Sequence, residues 1–205
     1  MTVWAIVVAA GTGSRFGGAK QFEQLGGDRV VDRAVAASRA VADGVVVVVP
    51  AERTDDTSLR ATGSILAAGG STRSGSVRAG LAAVPAEADI VVVHDAARPY
   101  ATGALFEAVV AAVRAGADGA VPGMAVSDTV KRVHDGRVVE TLDRSELVAV
   151  QTPQAFAAAV LRRAHAGGGD ATDDAALVEA AGGRVTVVPG EAANAKITRR
   201  SDLRP

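Results

Sequence analysis

A glycine-rich segment near the amino terminus has the residue types of a phosphate-binding loop. It covers residues 9–20 and follows an apolar segment at residues 3–8 that predicts a buried strand. Glycines allow sharp turns and a close approach of the backbone to a ligand, and successive backbone N–H groups in such a loop can converge on an anion. Arg15 and Lys20 add two positive charges. The segment predicts a polyphosphate cradle, with a flexible turn carrying two solvated cations as the alternative.

Two common glycine-rich loops are excluded by the residues of this segment. A P-loop requires Gly-Lys followed by serine or threonine, whereas Lys20 lies between Ala19 and Gln21. A dinucleotide fingerprint requires a third glycine at the position of Phe16 and an acidic residue at the end of the second strand. This sequence has neither. A polyphosphate cradle here would therefore be neither a P-loop nor a dinucleotide fingerprint.

A hydroxyl-rich loop at residues 71–76 opens a predicted helix and carries Arg73. The amino terminus of a helix with hydroxyl side chains is suited to bind an anion or a hydroxyl-bearing ligand. Ordinary amino-terminal capping by serine is the alternative. The loop is therefore a second candidate ligand site.

The segment at residues 94–99 follows a predicted buried strand. In open α/β sheets, ligands bind beyond the carboxyl ends of the strands. Asp95 offers carboxylate oxygens suited to Mg²⁺, and Arg98 offers a guanidinium suited to a phosphate. An ion pair between Asp95 and Arg98 inside the turn is the alternative. We assign His94 a structural role rather than a catalytic one.

The chemistry that these parts permit is phosphoryl or nucleotidyl transfer. The chain has no cysteine and its three histidines lie in different contexts, so it offers no covalent nucleophile with an adjacent base. Transfer between phosphates needs positioning and charge stabilisation instead. An attacking phosphate monoester, with a second pKa of about 6, is largely dianionic near neutral pH and needs no general base. The basic side chains available for this chemistry are Arg15, Lys20, Arg73, Arg98, Lys131, Arg144 and Lys196.

The composition of the 205 residues narrows the classes of partner and location. A formal net charge of −1 gives no bulk attraction to nucleic acid or to an anionic membrane, so neither is expected as a partner. The absence of cysteine excludes disulfides and zinc–cysteine sites and fits a cytoplasmic location. No apolar segment reaches the length of a membrane span. No basic segment precedes the first apolar one, as it would in a secretory signal.

Strand-like and helix-like segments alternate along the chain, which predicts one α/β domain over residues 1–205. The all-valine segment at residues 45–49 is typical of a strand buried on both faces, and hence of a parallel sheet. We expect a three-layer, mostly parallel sheet with the ligand site at its carboxyl edge. Further strands are predicted at residues 65–67, 90–93, 119–121, 148–151 and 185–188. Helices are predicted at residues 30–42, 77–84, 103–114 and 156–166.

Residues 130–142 predict a projecting antiparallel β-arm. Asp135-Gly136 is a strong hairpin-turn signal between two strand-like segments. Few residues on either face of this hairpin are suited to a core, so we expect it to project. A projecting ribbon needs another surface to cover it, and a two-fold related copy is the commonest one. The arm therefore predicts a homodimer.

Motifs in order along nearly the whole chain resemble those of the 2-C-methyl-D-erythritol 4-phosphate cytidylyltransferases of the isoprenoid (methylerythritol phosphate) pathway. The first loop alone is shared with many nucleotidyltransferases, whereas His-Asp-Ala-Ala-Arg at residues 94–98 and Thr-Pro-Gln at residues 152–154 are much more specific. The resembling segments are Ala9-Ala10-Gly11-x-Gly13-x-Arg15 with Lys20, and residues 93–99, 128–131, 151–154, 172–174 and 196–198.

The resemblance implies a Rossmann-like nucleotidyltransferase fold and a reaction of CTP. Members of the family join CTP to 2-C-methyl-D-erythritol 4-phosphate with Mg²⁺, giving 4-diphosphocytidyl-2-C-methyl-D-erythritol and pyrophosphate. By this resemblance, Arg15 and Lys20 stabilise charge on the α-phosphate. Arg144 and Lys196 position the polyol phosphate, with Arg144 reaching in from the arm of a partner subunit.

The resemblance implies further contacts with the metal and with both substrates. Asp95 resembles a residue near the metal. The remaining polyol contacts are Arg98, Thr129 and Thr172. The contacts with the cytidine and its phosphates are Ala9, Ala10, Gly11, Gly13, Gly70, Ser71 and Ser76.

Two departures from the family pattern fall in the first loop. Ala19 stands where members usually have proline, and Arg15 and Lys20 are closer in sequence than is usual. The resemblance leaves open the sister activity on ribitol 5-phosphate, for which Thr129 and Thr172 are among the discriminating positions. A non-catalytic nucleotide-binding protein is the other alternative, and the retention of every matched basic residue argues against it.

Overall fold

A mixed sheet of eight strands forms the centre of the computed structural model, which describes residues 1–203. One domain over residues 1–205 stays a prediction, and Arg204 and Pro205 lie outside the described residues. The helices are α1 (Val30–Ser38), α2 (Thr57–Ala61), α3 (Arg73–Ala83), α4 (Gly103–Arg114), α5 (Ala158–Ala166) and α6 (Asp174–Ala180). The strands are β1 (Val3–Val8), β2 (Gln24–Leu25), β3 (Asp28–Arg29), β4 (Gly44–Val49), β5 (Ile65–Ala68), β6 (Ile90–Asp95), β7 (Gly119–Ala125), β8 (Lys131–His134), β9 (Arg137–Thr141), β10 (Val148–Val150), β11 (Gln154–Ala157) and β12 (Val185–Pro189).

The order of the strands in the central sheet is β10-β7-β11-β6-β1-β4-β5, with β12 paired to β7. Strand β1 is parallel to both of its neighbours, β4 and β6, and β4 is parallel to β5. Strand β11 runs antiparallel between β6 and β7, and β12 is parallel to β7. The predicted α/β class with a mostly parallel sheet is confirmed.

The valines of β4 show why the sheet has helices on both faces. Val45, Val47 and Val49 pack in one cluster with side chains of α1 and α4. Val46 and Val48 pack in a second cluster with side chains of α3, α5 and α6. Because successive residues of a strand point to opposite faces, an all-valine strand needs an apolar layer above and below. The predicted three-layer arrangement follows from this burial.

The carboxyl ends of the parallel strands bring three loops together. Val8, at the end of β1, pairs with Val48 of β4 and with Asp95 of β6. The backbone N–H of Ala9 donates to the Val48 carbonyl at 2.7 Å, and the N–H of Gly69 donates to the last carbonyl of β4 at 2.8 Å. The loops that begin at Ala9, Gly69 and Asp95 therefore start side by side at one edge of the sheet.

The helix predicted over residues 156–166 is wrong at its start. Phe156 and Ala157 belong to β11, and α5 begins only at Ala158. Phe156 pairs with Gly119 of β7, and a Cβ on that glycine would lie 2.5 Å from the Phe156 ring. The ring is fully buried in the space that the glycine leaves free. A short apolar segment does not distinguish a strand from a helix by its periodicity, so only the packing decides.

Two other helix boundaries differ from the prediction for local reasons. Helix α1 ends at Ser38, whose Oγ donates to the Ala34 carbonyl at 2.8 Å. Helix α3 begins earlier than predicted because Thr72 Oγ1 accepts the Gly75 N–H at 3.0 Å. Thr72, and not the serine of the capping alternative, therefore caps this helix, and the loop stays a candidate ligand site.

Strands β8 and β9 form the predicted antiparallel arm as a separate two-stranded sheet. Asp135 and Gly136 have positive φ angles of 46° and 73°, as a two-residue hairpin turn requires. The arm carries three exposed valines, Val133, Val138 and Val139, which are 55%, 61% and 57% exposed. These apolar side chains find no core in the described chain. The homodimer that this arm predicted stays a prediction.

We expect Gly80→Val to destabilise the fold more than Ala79→Val, which introduces the same side chain one residue earlier. Gly80 lies on the buried face of α3, and a Cβ there would be 2.6 Å from Ile6 Cγ2 and 3.0 Å from Val48 Cγ2. Overpacking of this kind costs about 1–3 kcal/mol. Ala79→Val is the matched control, because Ala79 is only partly buried in the same helix. Urea unfolding measures both, and equal losses would contradict the close packing of α3 on the sheet.

Candidate active site

A cavity of about 460 Å³ opens at the carboxyl edge of the sheet, where the three loops meet. The glycine-rich loop, the loop after β5 and the segment around Lys196 all contribute to its wall. The residues of the wall that the sequence had singled out are Ala9, Ala10, Gly11, Gly13, Arg15, Lys20, Gly70, Ser71, Arg73, Ser76, Asp95 and Lys196.

Four residues that the resemblance assigned to the polyol phosphate do not line this cavity. Thr129 and Arg144 are exposed at the base of the arm, where the Arg144 guanidinium donates to the Ser127 carbonyl. Thr172 is exposed in the loop before α6. Arg98 is partly buried, and its Nη1 donates to the Asn194 carbonyl at 2.7 Å. Burial lowers the pKa of the Arg98 guanidinium.

The conformation of the first loop depends on Gly13. Its φ angle is +66°, and a Cβ at this position would lie 1.9 Å from the Gly18 carbonyl oxygen. The Gly13 carbonyl accepts the N–H groups of Phe16 and Gly17 at 2.8 and 3.0 Å. A residue other than glycine would therefore both strain the backbone and collide with the other side of the loop.

Phe16 anchors the loop to the segment that carries Lys196. It is 4% exposed and packs in a cluster with Leu25, Val30 and Ile197. In the sequence, Phe16 served only to exclude a dinucleotide fingerprint. In the structure, its burial fixes the loop between Arg15 and Lys20, so that both basic residues reach the cavity wall.

Gln21 is a positioning residue of this loop that the sequence did not reveal. Its side chain is 3% exposed, and its Nε2 donates to the Ala9 carbonyl at 2.7 Å and to the Gly11 carbonyl at 3.0 Å. These bonds hold the backbone at the start of the loop. A glutamine beside a lysine gives no sequence signal of burial, and only the fold places it under the loop.

Lys20 lies at the cavity despite the short spacing from Arg15 and the alanine before it. It begins a 3-10 turn, Lys20–Phe22, whose preceding residue is Ala19. Burial, and then the positive charges of Lys196 and Arg15, lower the pKa of the Lys20 ammonium. Lys20, Arg15 and Lys196, three of the four basic side chains in the described wall, thus repel one another, which is the arrangement expected where an anion binds.

Asp95 lies at the end of β6 between two basic side chains. Its Oδ2 accepts Lys196 Nζ at 2.6 Å, and its Oδ1 accepts Arg73 Nε at 3.2 Å. Burial alone would raise the pKa of the Asp95 carboxyl, but Arg73 and Lys196 hold it well below its usual range. The partners of Asp95 are therefore Arg73 and Lys196, and not Arg98 as the ion-pair alternative proposed.

Arg73 continues this contact into the core. Its Nη1 donates to Asp174 Oδ2 at 2.8 Å, and the other oxygen of Asp174 lies 3.0 Å from His165 Nε2. Asp174 and His165 are 0% and 3% exposed. The sequence analysis included Asp174 only in the resembling segment 172–174 and did not single out His165, because these contacts form only when α3 packs beside α5 and α6.

His94 is fully buried behind the site and does not line the cavity. Its Nδ1 accepts from Thr152 Oγ1, and its Nε2 donates to the Arg98 carbonyl, both at 3.1 Å. Burial lowers the pKa of the imidazole from 6.5 to about 4. The geometry agrees with the structural role that we assigned to His94.

The residues of the cavity fit a Mg²⁺ ion that arrives with a nucleotide, and not a metal held by the protein alone. Within residues 1–203, no group of three or more His, Asp or Glu side chains is arranged to hold a metal ion. Asp95 is the one carboxylate among the described residues of the wall. Mg²⁺ is usually bound by one or two carboxylates together with substrate phosphates and water.

No helix of the described chain combines the length and apolar character needed to cross a membrane.

We expect the stability of the protein to fall as the pH decreases from 6.5 to 4, through His94. In this window the unfolded chain binds a proton at His94 that the folded chain excludes, so the free energy of unfolding rises with pH. The slope for one proton approaches about 1.4 kcal/mol per pH unit. His94→Gln should reduce the slope, whereas His134→Gln, at an exposed arm position, should not. Urea unfolding at several pH values measures this, and an unchanged slope in His94→Gln would contradict it.

Sequence comparison places the chain among known proteins. Residues 3–205 match the family model described as "IspD: 2-C-methyl-D-erythritol 4-phosphate cytidylyltransferase". A 2-C-methyl-D-erythritol 4-phosphate cytidylyltransferase from Rhodococcus opacus is 48% identical, over 98% of this chain and 92% of the relative. A bifunctional enzyme IspD/IspF from Clavibacter michiganensis is 47% identical, over 97% of this chain and 52% of the relative. The chain therefore spans about half the length of such bifunctional relatives.

The fold has close counterparts among solved structures. A 4-diphosphocytidyl-2C-methyl-D-erythritol synthase from Anaerococcus prevotii has a TM-score of 0.85 and 29% identity, over 98% of this chain and 94% of the other. A 2-C-methyl-D-erythritol 4-phosphate cytidylyltransferase from Thermus thermophilus has a TM-score of 0.82 and 35% identity, over 97% and 94%. Fold, motifs and family model agree, and the chain belongs to the 2-C-methyl-D-erythritol 4-phosphate cytidylyltransferase (IspD) family.

Proposed function

We propose that this chain is a nucleotidyltransferase that joins CTP to 2-C-methyl-D-erythritol 4-phosphate. The products are 4-diphosphocytidyl-2-C-methyl-D-erythritol and pyrophosphate. The observation that carries the proposal is the convergence of Arg15, Lys20 and Lys196 on one cavity beside Asp95, in a chain that matches this family over residues 3–205. The proposed partners are CTP, the polyol phosphate and a second copy of the chain, and the proposed location is the cytoplasm.

The proposed nucleotide site lies between the first loop and the loop after β5. These loops approach closely, since a Cβ on Gly69 would lie 2.2 Å from the Ala10 Cβ. Backbone groups of small residues can approach a pyrimidine and its phosphates without side chains in the way. We therefore keep CTP as the preferred triphosphate. The proposed contacts are Ala9, Ala10, Gly11, Gly13, Gly70, Ser71 and Ser76.

Arg15 and Lys20 are the proposed stabilisers of charge on the α-phosphate. In the reaction a phosphate oxygen of the polyol phosphate forms a bond with the α-phosphorus. The bond from that phosphorus to the oxygen bridging to the β-phosphate breaks, and pyrophosphate leaves with the electron pair. Negative charge is redistributed around the α-phosphorus, and fixed cations aimed there stabilise the transition state more than the ground state. The attacking phosphate needs no base, because it is already largely ionised near neutral pH.

Lys196 and Arg144 are the proposed holders of the polyol phosphate. Lys196 lies in the cavity with its Nζ on Asp95. A phosphate that binds there competes with Asp95 for Lys196. Arg144 is on the arm, and in a two-fold dimer it would reach the cavity of the partner. The contacts of Arg98, Thr129 and Thr172 with the polyol stay proposals.

Mg²⁺ is the proposed cofactor, with Asp95 as its protein ligand beside the nucleotide phosphates. When bound, the ion would neutralise phosphate charge. Among the described residues, Oδ2 of Asp95 has one hydrogen-bond donor, Lys196, so a phosphate that draws Lys196 away would leave this oxygen free. Arg73 continues to hold the other oxygen at 3.2 Å.

The arm and the strand that follows it support the proposed homodimer. The arm valines are exposed, and so are Val148 and Val150 of β10, at 43% and 39%. Arg144 lies in the turn between these two apolar surfaces. A second copy that covers them would bury apolar area and bring Arg144 close to another cavity.

One assay tests the proposed function against its two alternatives. The protein is incubated with Mg²⁺, CTP and either 2-C-methyl-D-erythritol 4-phosphate or ribitol 5-phosphate, and pyrophosphate release is followed. We expect release with the methylerythritol substrate and with CTP in preference to ATP or GTP. Faster release with ribitol 5-phosphate would favour the sister activity. CTP binding without release in either mixture would favour a non-catalytic protein.

We expect substitutions in the two pairs of basic residues, Arg15 with Lys20 and Arg144 with Lys196, to change different kinetic constants. Lys20→Ala should lower kcat by about 10²–10³, the usual scale for one lost donor to a developing charge. Lys196→Ala should raise KM for the polyol phosphate and leave CTP binding nearly unchanged, because it positions the second substrate. Steady-state kinetics with each substrate varied measures both. A near-normal kcat in Lys20→Ala would contradict the cradle assignment.

We expect Val138→Lys to convert the dimer into a monomer with impaired activity. The charge would lie in the apolar surface that a second copy should cover, and each monomer would lose the Arg144 of its partner. Ala159→Lys on the exposed side of α5 is the control with the same added charge. Sedimentation at micromolar concentration measures the mass. A monomer with full activity would contradict the action of Arg144 across subunits.

A further inference from the structure

A continuous series of hydrogen-bonded side chains connects the cavity with a buried histidine of α5. It starts with Lys196 on Asp95 at 2.6 Å and continues through Arg73 to Asp174 at 3.2 and 2.8 Å. It ends with His165 in the last turn of α5, whose Nε2 lies 3.0 Å from Asp174. Three of its members, Lys196, Asp95 and Arg73, line the cavity, while Asp174 and His165 do not.

The buried end of this chain needs an explanation other than stability. Asp174 has no exposed surface, and each of its oxygens has one donor, Arg73 or His165. Buried ion pairs contribute little to stability compared with apolar side chains of similar volume, because both charges lose their hydration. The core around α5 and α6 is otherwise apolar, and includes Val160, Leu161 and Val178.

The position of Asp174 determines how the Arg73 guanidinium is oriented in the cavity. The guanidinium is planar, and its donors form a rigid fork. Its Nη1 is on Asp174 and its Nε is on Asp95, so the place of Asp174 sets the plane that faces Asp95. In that plane Arg73 takes Oδ1 of Asp95 and leaves Oδ2 to Lys196. Without the His165 donor, the Asp174 carboxylate would be free to turn toward Arg73. The guanidinium could then shift, and Arg73 and Lys196 would no longer contact separate oxygens of Asp95.

We propose that His165 is a positioning residue for the reaction, acting through Asp174 and Arg73 on Asp95 and Lys196. The inference rests on the proposed function, since Lys196 and Asp95 are assigned there to the polyol phosphate and the metal. His165 donates its Nε2–H to Asp174, which fixes the carboxylate against Arg73. Its Nδ1 is buried and has no hydrogen-bond partner among the described residues, so Asp174 is the one polar contact that orients the ring.

The test compares two variants of His165 by their kinetics. His165→Leu fills much of the space and removes the donor, whereas His165→Gln retains an amide donor near the place of Nε2. We expect His165→Leu to lower kcat/KM for the polyol phosphate about 10-fold. This is the lower end of the range for residues that hydrogen-bond to the ligands of a site without contacting the substrate. We expect KM for CTP to stay within about two-fold and His165→Gln to recover most of the loss. His165→Met replaces the leucine variant if that one does not fold.

The control separates positioning from stability. Leu161→Ala removes a fully buried side chain from the same helix. The apolar Leu161 side chain makes no hydrogen bond to Lys196, Asp95, Arg73, Asp174 or His165. We expect it to lower Tm and to leave the kinetic constants of the folded protein unchanged. Equal kinetics in His165→Leu and the wild type would overturn the inference. A loss in Leu161→Ala as large as that in His165→Leu, or no recovery in His165→Gln, would overturn it as well.

A second measurement stands apart from turnover and from the proposed function. The chain has three histidines, so the ring nitrogens of His165 can be assigned by NMR from single substitutions. We expect Lys196→Gln to shift the His165 ring signals, because it changes the charge balance at Asp95, and to leave exposed His134 unchanged. An unchanged His165 would overturn the inference even if the wild type is active. If the wild type releases no pyrophosphate, the proposed function fails. The shift of the His165 signals still decides whether His165 is coupled to Lys196 through Asp174, Arg73 and Asp95.

Discussion

A carboxylate with little access to water, held between two basic side chains, is the interaction on which the candidate site depends. Asp95 ends a strand that is buried on both faces, and burial there opposes its charge. Lys196 and Arg73 compensate for the lost hydration, and they are fixed by this contact. Lys196 is itself exposed, although Ile197 beside it is buried. The carboxylate thus places one cation in the cavity and orients the other toward the core.

The sheet sets the distances between the loops that surround this carboxylate. Parallel pairing aligns Val8 with Asp95, so the first loop and the Asp95 turn leave the sheet at the same level. Gly13 then turns the first loop back on itself, and Phe16 fastens it to the cluster that contains Ile197. Both loops are therefore fixed relative to Lys196, and the basic side chains that line the cavity come from separate parts of the chain.

The sequence predicted the parts of this structure that depend on local pattern. Valine-rich strands, the hairpin at Asp135-Gly136 and the cavity-lining loops are local features, and the structure contains them. The predicted start of α5 was wrong because the Phe156 ring packs into the space beside Gly119, which places Phe156 in a strand. The periodicity of its own segment does not show this. Gln21 and His165 were missed because the burial of a polar side chain and its hydrogen bonds in the folded chain leave no pattern in the sequence. Thr129, Thr172 and Arg144 were assigned by family resemblance, and Arg98 also by its place after a strand, but this chain does not bring them to its own cavity.

The most direct measurement of the central contact is the titration of the Asp95 carboxyl by ¹³C NMR. An ordinary aspartate titrates at about pH 3.9. With Lys196 and Arg73 in place, Asp95 should stay ionised through the whole pH range in which the protein is folded. In Lys196→Gln its pKa should rise, since one of the two compensating charges is gone. An Asp95 that titrates at or above the ordinary value in the wild-type protein would contradict the arrangement, because the carboxylate would then not be held by the two cations.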